Sequence, residues 1–301
     1  MQNPQQSQIL TLPAAARHRQ PRPSGIGRLL RRQPLGTFSA GIIILLVAVA
    51  VLAPRLEPYS ATRTSVAHRL EAPGADHVLG TDNLGRDEPS RLIDGSRVTV
   101  LVGFGSVLIA VVLATVIGTT SAYLGGLVDL AIQRLVDVWL SFPGLVLLTT
   151  IVSVFKPSRT TVVIAIGVLL SAGASRVVRG AVLSIKPMPF IEAARCSGAV
   201  GLRIVIRHVL PNVMAPILVV ATAQLGVAIL IEATLSFLGY GVPPPQPAWG
   251  SMLSGDARTY MIRAPLLSLW PGLAIALVVY AFNMLGDAIR DELDPRLRGG
   301  R

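Results

Sequence analysis

The chain has 301 residues, of which 51% are hydrophobic and only 14% charged, and it carries a formal net charge of +11. An ordinary soluble domain has roughly one quarter charged residues, so the composition excludes that class and marks an integral membrane protein. The charge is nearly all arginine at the ends of apolar runs, not a basic polar domain with aromatic platforms, which argues against nucleic-acid binding.

Residues 1–34 are rich in Pro, Gln and Arg, lack acidic residues and have no apolar periodicity; they are expected to form a disordered cytoplasmic tail. The apolar run over 35–53 is long enough to span a bilayer as a helix. Within it Ala48-Val49-Ala50 resembles a signal-peptide cleavage pattern, but the run exceeds the usual stretch of roughly 7 to 15 residues, which favours an anchor. A polar connection over 54–97 follows. Further apolar runs at 98–122, 130–154, 160–183, 212–237 and 266–289 predict six transmembrane helices in an all-α fold. Small residues recur in each run, allowing helices to approach closely in lipid.

Orientation rests on the basic residues. Arg17, Arg19, Arg22, Arg28, Arg31 and Arg32 place the N-terminus in the cytoplasm. Six spans then put the connection 184–211 and the C-terminus, 290–301, on the same side, with the stretches 54–97 and 238–265 external. The fourth connection agrees, with Arg176, Arg179, Lys186, Arg195, Arg203 and Arg207 against one acid, Glu192. The loop 54–97 argues the other way, because it holds Arg55, Arg63, Arg69, Arg86, Arg91 and Arg97.

Catalytic chemistry finds no support. Lys156 and Lys186 are the only lysines, and each precedes a proline rather than closing a glycine-rich phosphate loop. His18, His68, His77 and His208 form no His-Glu-x-x-His pair and lie outside the apolar runs, so no metal ligand set is expected. The glycines and carboxylates of 80–87 match no calcium loop. The single cysteine, Cys196, excludes an intramolecular disulfide.

The segment from Glu192 to Pro211 is the most patterned polar stretch. Glu192 stands near the start of a short helix that follows Lys186-Pro187-Met188-Pro189, where a negative side chain complements the helix dipole. Ala193 and Ala194 are small, next to Arg195. Gly198 and Gly201 can supply a tight turn, and Ile204, Val205, Val209 and Leu210 then restart an apolar face that leads into the next span at Pro211. Such a unit is shaped to enter a groove in another subunit; a plain amphipathic loop resting on lipid headgroups is the competing reading.

This spacing resembles the cytoplasmic coupling motif of permease subunits in ATP-binding-cassette importers. Much else is similar to one branch of that family, the second permease of dipeptide, oligopeptide and nickel importers: His77 to Asp87, Ser90-Arg91-Leu92-Ile93, Tyr123-Leu124-Gly125-Gly126, Arg134-Leu135-Val136-Asp137, Phe142-Pro143, Glu232 to Gly241, Trp249-Gly250, Phe282 to Asp287 and Leu293 to Leu297. The resemblance covers nearly everything after the tail. It implies a type I importer permease fold, MetI-like, in the inner membrane, pairing with a homologous permease. It further implies two ATPase subunits on the coupling loops, an external binding protein that delivers substrate, and ATP and magnesium held by the partners, with no cofactor on this chain. The coupling residues carried over are Glu192, Ala193, Ala194, Arg195, Gly198, Gly201, Arg207, Leu210 and Pro211. Peptide is the favoured cargo, with nickel chelates, glutathione or oligosaccharides as alternatives. An ion-coupled secondary transporter would need coupling residues and an internal repeat, and neither is apparent.

Glu232 lies inside an apolar run, where a charge costs about 2.5–3.5 kcal/mol on insertion scales, so it is expected to face protein or a water-filled path. Gln224, Ser236 and Asn283 are further candidates for a pore or gate, with interhelical bonding as the alternative. Arg134 with Asp137, and Asp287 with Arg290, have the spacing of local ion pairs on one helix face.

Overall fold

A computed structural model of the chain describes residues 34–254, 259–260 and 262–293, so the expected tail over 1–34, apart from Pro34, which begins the first helix, and the final residues 294–301 lie outside the described residues. The helices are α1 (Pro34–Leu56), α2 (Glu88–Leu124), α3 (Gly126–Ser141), α4 (Gly144–Phe155), α5 (Arg159–Ile185), α6 (Pro189–Cys196), α7 (Gly201–Phe237), α8 (Trp249–Met252) and α9 (Leu266–Leu293). Five of them, α1, α2, α5, α7 and α9, are long and apolar enough to cross a membrane, and α3 with α4 makes a sixth crossing if the bent pair is one span.

That bent pair departs from the uniform helix expected over 130–154. The chain turns by 88° between α3 and α4. Phe142 precedes Pro143, whose ring disfavours helical backbone in the residue before it; Phe142 is accordingly extended, at φ −83° and ψ 140°. Hydropathy registers the run as continuous because Phe and Pro do not interrupt its apolar character.

Two other helices begin earlier than their apolar runs. α2 starts at Glu88 rather than near 98, because the Asp87 carboxylate accepts from the Ser90 backbone N–H at 3.0 Å and Pro89 occupies the first turn. α7 starts at Gly201, eleven residues ahead of the expected 212, so the second half of the polar connection is already helical. Membrane thickness sets the length of an apolar run, but capping sets where a helix begins.

α2 and α5 form the most extensive helix pairing. Small residues line it: Ser106, Ala110, Ala114 and Gly118 on α2 face Gly167, Ala174 and Ser175 on α5, and all are buried. A Cβ on Gly118 would lie 2.5 Å from the Ser175 carbonyl oxygen, and one on Gly167 would lie 2.8 Å from Ile109. Burial of apolar surface gives little drive for association in lipid, so this close backbone approach supplies the contact instead. One apolar cluster joins α1, α2, α5, α7 and α9, with Val102, Ile166, Ile229 and Phe282 at its centre. A second, built around Val178, Val182, Ile191, Ile204 and Val213, fixes α6 and the start of α7 against α2 and α5.

The connections sort to two ends. At one end, residues 57–87 fold into a cap, and the Trp249 ring N–H of α8 donates to the Leu92 carbonyl near the start of α2 at 2.9 Å. At the other, the Lys186 ammonium donates to the Ala122 carbonyl at 3.0 Å, holding the end of α5 to the end of α2. α6 lies at this second end.

Candidate functional site

The segment from Lys186 to Pro211 forms an elbow whose geometry follows from its residues. Pro189 sits in the first turn of α6, where its missing N–H is no loss, and Glu192 lies in that same turn, where it complements the positive end of the helix. Every third or fourth residue of α6 is apolar and turned inward: Ile191 and Ala194 are buried, the former at 0% exposure. Glu192, Ala193, Arg195 and Cys196 are exposed on the opposite side. A short helix is marginal alone, so the buried pair is what holds this exposed face in place.

Gly198 ends α6. Its φ of +78° is the left-handed conformation that glycine adopts without a Cβ penalty. The Gly198 N–H donates to the Arg195 carbonyl at 2.9 Å and the Ala199 N–H to the Ala194 carbonyl at 3.0 Å, the paired bonds of a Schellman turn. Two residues further on, Gly201 starts α7 beside the ring of Tyr123, which a Cβ there would approach to 3.4 Å. The glycine turn expected from the sequence is therefore a helix stop at Gly198 followed by a close contact at Gly201.

The first turns of α7 widen over Val205–Val209, and the Leu210 N–H reaches back to the Val205 carbonyl. Pro211 accounts for the distortion, since its ring crowds the preceding turn and it has no N–H to offer Arg207. The Asn212 side-chain amide donates to the His208 carbonyl at 2.6 Å. Arg207 and Pro211 are exposed and Leu210 is half-buried, so these three flank the elbow rather than fill its core.

The remaining candidates do not gather in one place. Glu232 is 1% exposed and accepts from the Ser236 hydroxyl at 2.6 Å within α7. Ser236 also borders a cavity of about 350 Å³ at the cap end, together with Asp82, Arg86, Glu88, Arg91 and Gln246. The Gln224 side-chain amide donates to the Leu170 carbonyl of α5 at 3.1 Å. Asn283 is exposed on α9, against Gly226 of α7.

Charge pairing also differs from local spacing. Arg134 lies 3.8 Å from Asp137, but Asp137 also accepts from Arg176 of α5. Asp287 and Arg290 are both exposed and do not meet in an ion pair, as expected for long solvated side chains that gain little from pairing. The strongest pair was not anticipated: the Arg179 guanidinium donates to both oxygens of Asp129, at 2.7 and 2.6 Å, while the Ser121 hydroxyl also donates to that carboxylate. Arg176 and Arg179 thus belong to α5 and clamp it to α3, instead of forming part of a basic loop. The available signal was a charge inside the run 160–183, which demands a partner.

Known proteins bear on this arrangement. Residues 101–299 match the family model described as binding-protein-dependent transport system inner membrane component, and residues 26–73 match that of the N-terminal TM domain of oligopeptide transport permease C. The chain is 40% identical over 269 residues to the dipeptide transport system permease protein of Alkalihalophilus pseudofirmus, covering 89% of this chain and 88% of that protein. It is 39% identical to the glutathione transport system permease protein of Pectobacterium atrosepticum, covering 90% of each. Among solved structures, the MetNI methionine ABC transporter in an inward-facing conformation matches with a TM-score of 0.56 at 19% identity, over 67% of this chain and 96% of that one. This last likeness establishes the fold.

Proposed function

Because the chain belongs to the family of binding-protein-dependent transport system inner membrane components, we propose that it is the pore-forming permease subunit of an ATP-driven peptide importer. It is a multi-pass membrane protein. In this reading it pairs with a homologous permease, two ATPase subunits engage its elbow, and an external binding protein delivers cargo to the cap end. ATP and magnesium belong to the ATPases, and this chain holds no cofactor for transport.

The observation that carries the reading is the two-sided build of α6. Its outer face presents Glu192, Ala193 and Arg195, while its inner face is locked by Ile191 and Ala194 against the cluster that includes Val182, Ile204 and Val213. An ATPase that grips the outer face moves α6 only together with α5 and α7. Nucleotide binding shifts the pore between its two states to the extent that the ATPase grips α6 differently in each. Ala193 leaves the helix backbone open to close approach, and Gly198 lets the chain reverse directly behind it.

Peptide cargo is supported by the relative named for dipeptide transport. Glutathione is a second reading, favoured by a relative of nearly equal identity named for it. Both cargoes carry peptide amides and terminal carboxylates, so one assay separates them. The complex, reconstituted with its binding protein, is expected to take up dipeptide or glutathione only when ATP is supplied. Glu192→Ala is expected to assemble normally and to lower transport at least tenfold. Parent-level uptake by an assembled Glu192→Ala complex would remove α6 from the coupling role.

A further inference from the structure

The cap holds a group of side chains with no part in the reading above. His68 closes a short 3-10 turn, Val66–His68, and Glu71 and His77 come back to meet it. Each of the three offers one ligand atom, and these atoms all lie within 4.8 Å of one another. The two imidazole rings stand edge to face with centroids 5.8 Å apart. They border a cavity of about 320 Å³ together with Tyr59, Asp76 and Asp87.

The surroundings are those of an oriented ligand set. His77 Nδ1 lies 2.8 Å from the Asp87 carboxylate, whose other oxygen accepts from the Ser90 backbone and hydroxyl. With Nδ1 turned to Asp87, His77 presents Nε2 as its free nitrogen, the carboxylate–imidazole arrangement that orients metal ligands. The backbone beneath is pinned as well. The Thr81 hydroxyl donates to the His68 carbonyl and accepts from the Glu71 N–H at 2.9 Å, and the Gly74 N–H donates to the His77 carbonyl at 2.9 Å. His68 and Glu71 are exposed and 2.8 Å apart through His68 Nδ1, so both have room to rotate inward. Zinc binds imidazole nitrogen and carboxylate oxygen at about 2.0–2.2 Å in a tetrahedron with edges of about 3.3–3.6 Å, so any separation near the 4.8 Å limit must shorten by about an ångström while the 2.8 Å contact between His68 and Glu71 opens.

We propose that His68, Glu71 and His77 form a binding site for a divalent transition ion of the zinc type on the cap, with water as the fourth ligand and Asp87 as a positioning residue. Two imidazoles and one carboxylate favour zinc or nickel over calcium and magnesium, which take oxygen ligands. The bound ion ties the segment 66–77 to the residue that caps α2. The site stands independently of what the protein transports. Sequence spacing hides it, because the ligands approach through a loop and not along one helix.

The test uses the full, tag-free chain in detergent, stripped with chelator and titrated with zinc chloride against a chromophoric competitor. One zinc ion per chain is expected, with affinity lowered about tenfold or more in His68→Ala and in Glu71→Gln. Both variants change exposed side chains, so the metal-free melting temperature should stay at the parent value while the zinc-induced rise disappears. Calcium and magnesium should produce no rise. Equal zinc affinity and stoichiometry in the parent and a His68→Ala/Glu71→Gln double variant would overturn the site, as would a parent chain that takes up no zinc.

Discussion

The Asp129 and Arg179 pair shows how much one residue's partner decides. Two parallel N–H donors from a planar guanidinium match both oxygens of a carboxylate, a geometry that lysine cannot reproduce. The side chains are 17% and 31% exposed, so solvent screens the pair and its worth is set by the hydrogen bonds more than by bare attraction. Removing one member leaves the other short of partners near the end of an apolar bundle. Asp129→Ala and Arg179→Ala are each expected to cost about 1–2 kcal/mol, and the double variant distinctly less than their sum. Thermal unfolding of the purified subunit measures this cycle; strict additivity would mean that the two side chains do not interact. The buried Glu232 obeys the same rule differently, since its partner, Ser236, is one turn away on its own helix.

At the scale of elements, the contact between α2 and α5 depends on missing side chains. Gly118→Val is expected to push the helices apart, because even its Cβ would stand 2.5 Å from a backbone carbonyl that cannot turn away. Overpacking of this kind costs about 1–3 kcal/mol. Gly41 of α1 has open space within 4 Å of the same added atom, so Gly41→Val is the control. The melting temperature should fall for the first and hold for the second, and equal behaviour of the two would refute the close-approach account. Five long spans, and a sixth if α3 and α4 make one, were legible in the apolar runs, because membrane thickness imposes their length whatever the helices pack against. The short helix at Glu192 and its stop at Gly198 were legible too, through proline, glycine and helix-dipole chemistry acting over a few residues. The 88° break after Ser141 was less so: Phe142-Pro143 stood in view, but it lay within a stretch apolar enough on average to read as one span. Arg179 meeting Asp129 and His68 meeting His77 were hidden, since each depends on which loops and helices become neighbours in three dimensions.

At the scale of the whole molecule, the cap arginines bear on the proposed orientation. In the sequence they weigh against an external position for 54–97. In the fold, Arg86 and Arg91 converge on Asp82, Arg97 pairs with Asp94, and Arg69 donates to the Asn83 carbonyl at 2.6 Å. Arg69, Arg86 and Arg91 hold the cap together and Arg97 pairs within α2, so they say less about which side the cap faces than loose flanking residues do. Arg195, Arg203 and Arg207 at the opposite end are exposed, and none takes part in an ion pair among the described residues. The bias towards basic residues on the cytoplasmic side therefore supports the proposal that the elbow faces the cytoplasm. On the proposed topology of six crossings, with α3 and α4 as one span, Pro34 and Leu293 lie at that same end. The chain carries its own reporter, because its single cysteine, Cys196, is exposed on α6 beside Arg195. A membrane-impermeant thiol reagent is expected to leave this subunit unlabelled in intact cells and to label it once the membrane is opened, in a strain lacking the ATPases that would cover α6. Labelling in intact cells at the rate seen after permeabilisation would reverse the orientation, and with it the assignment of α6 to a cytoplasmic motor.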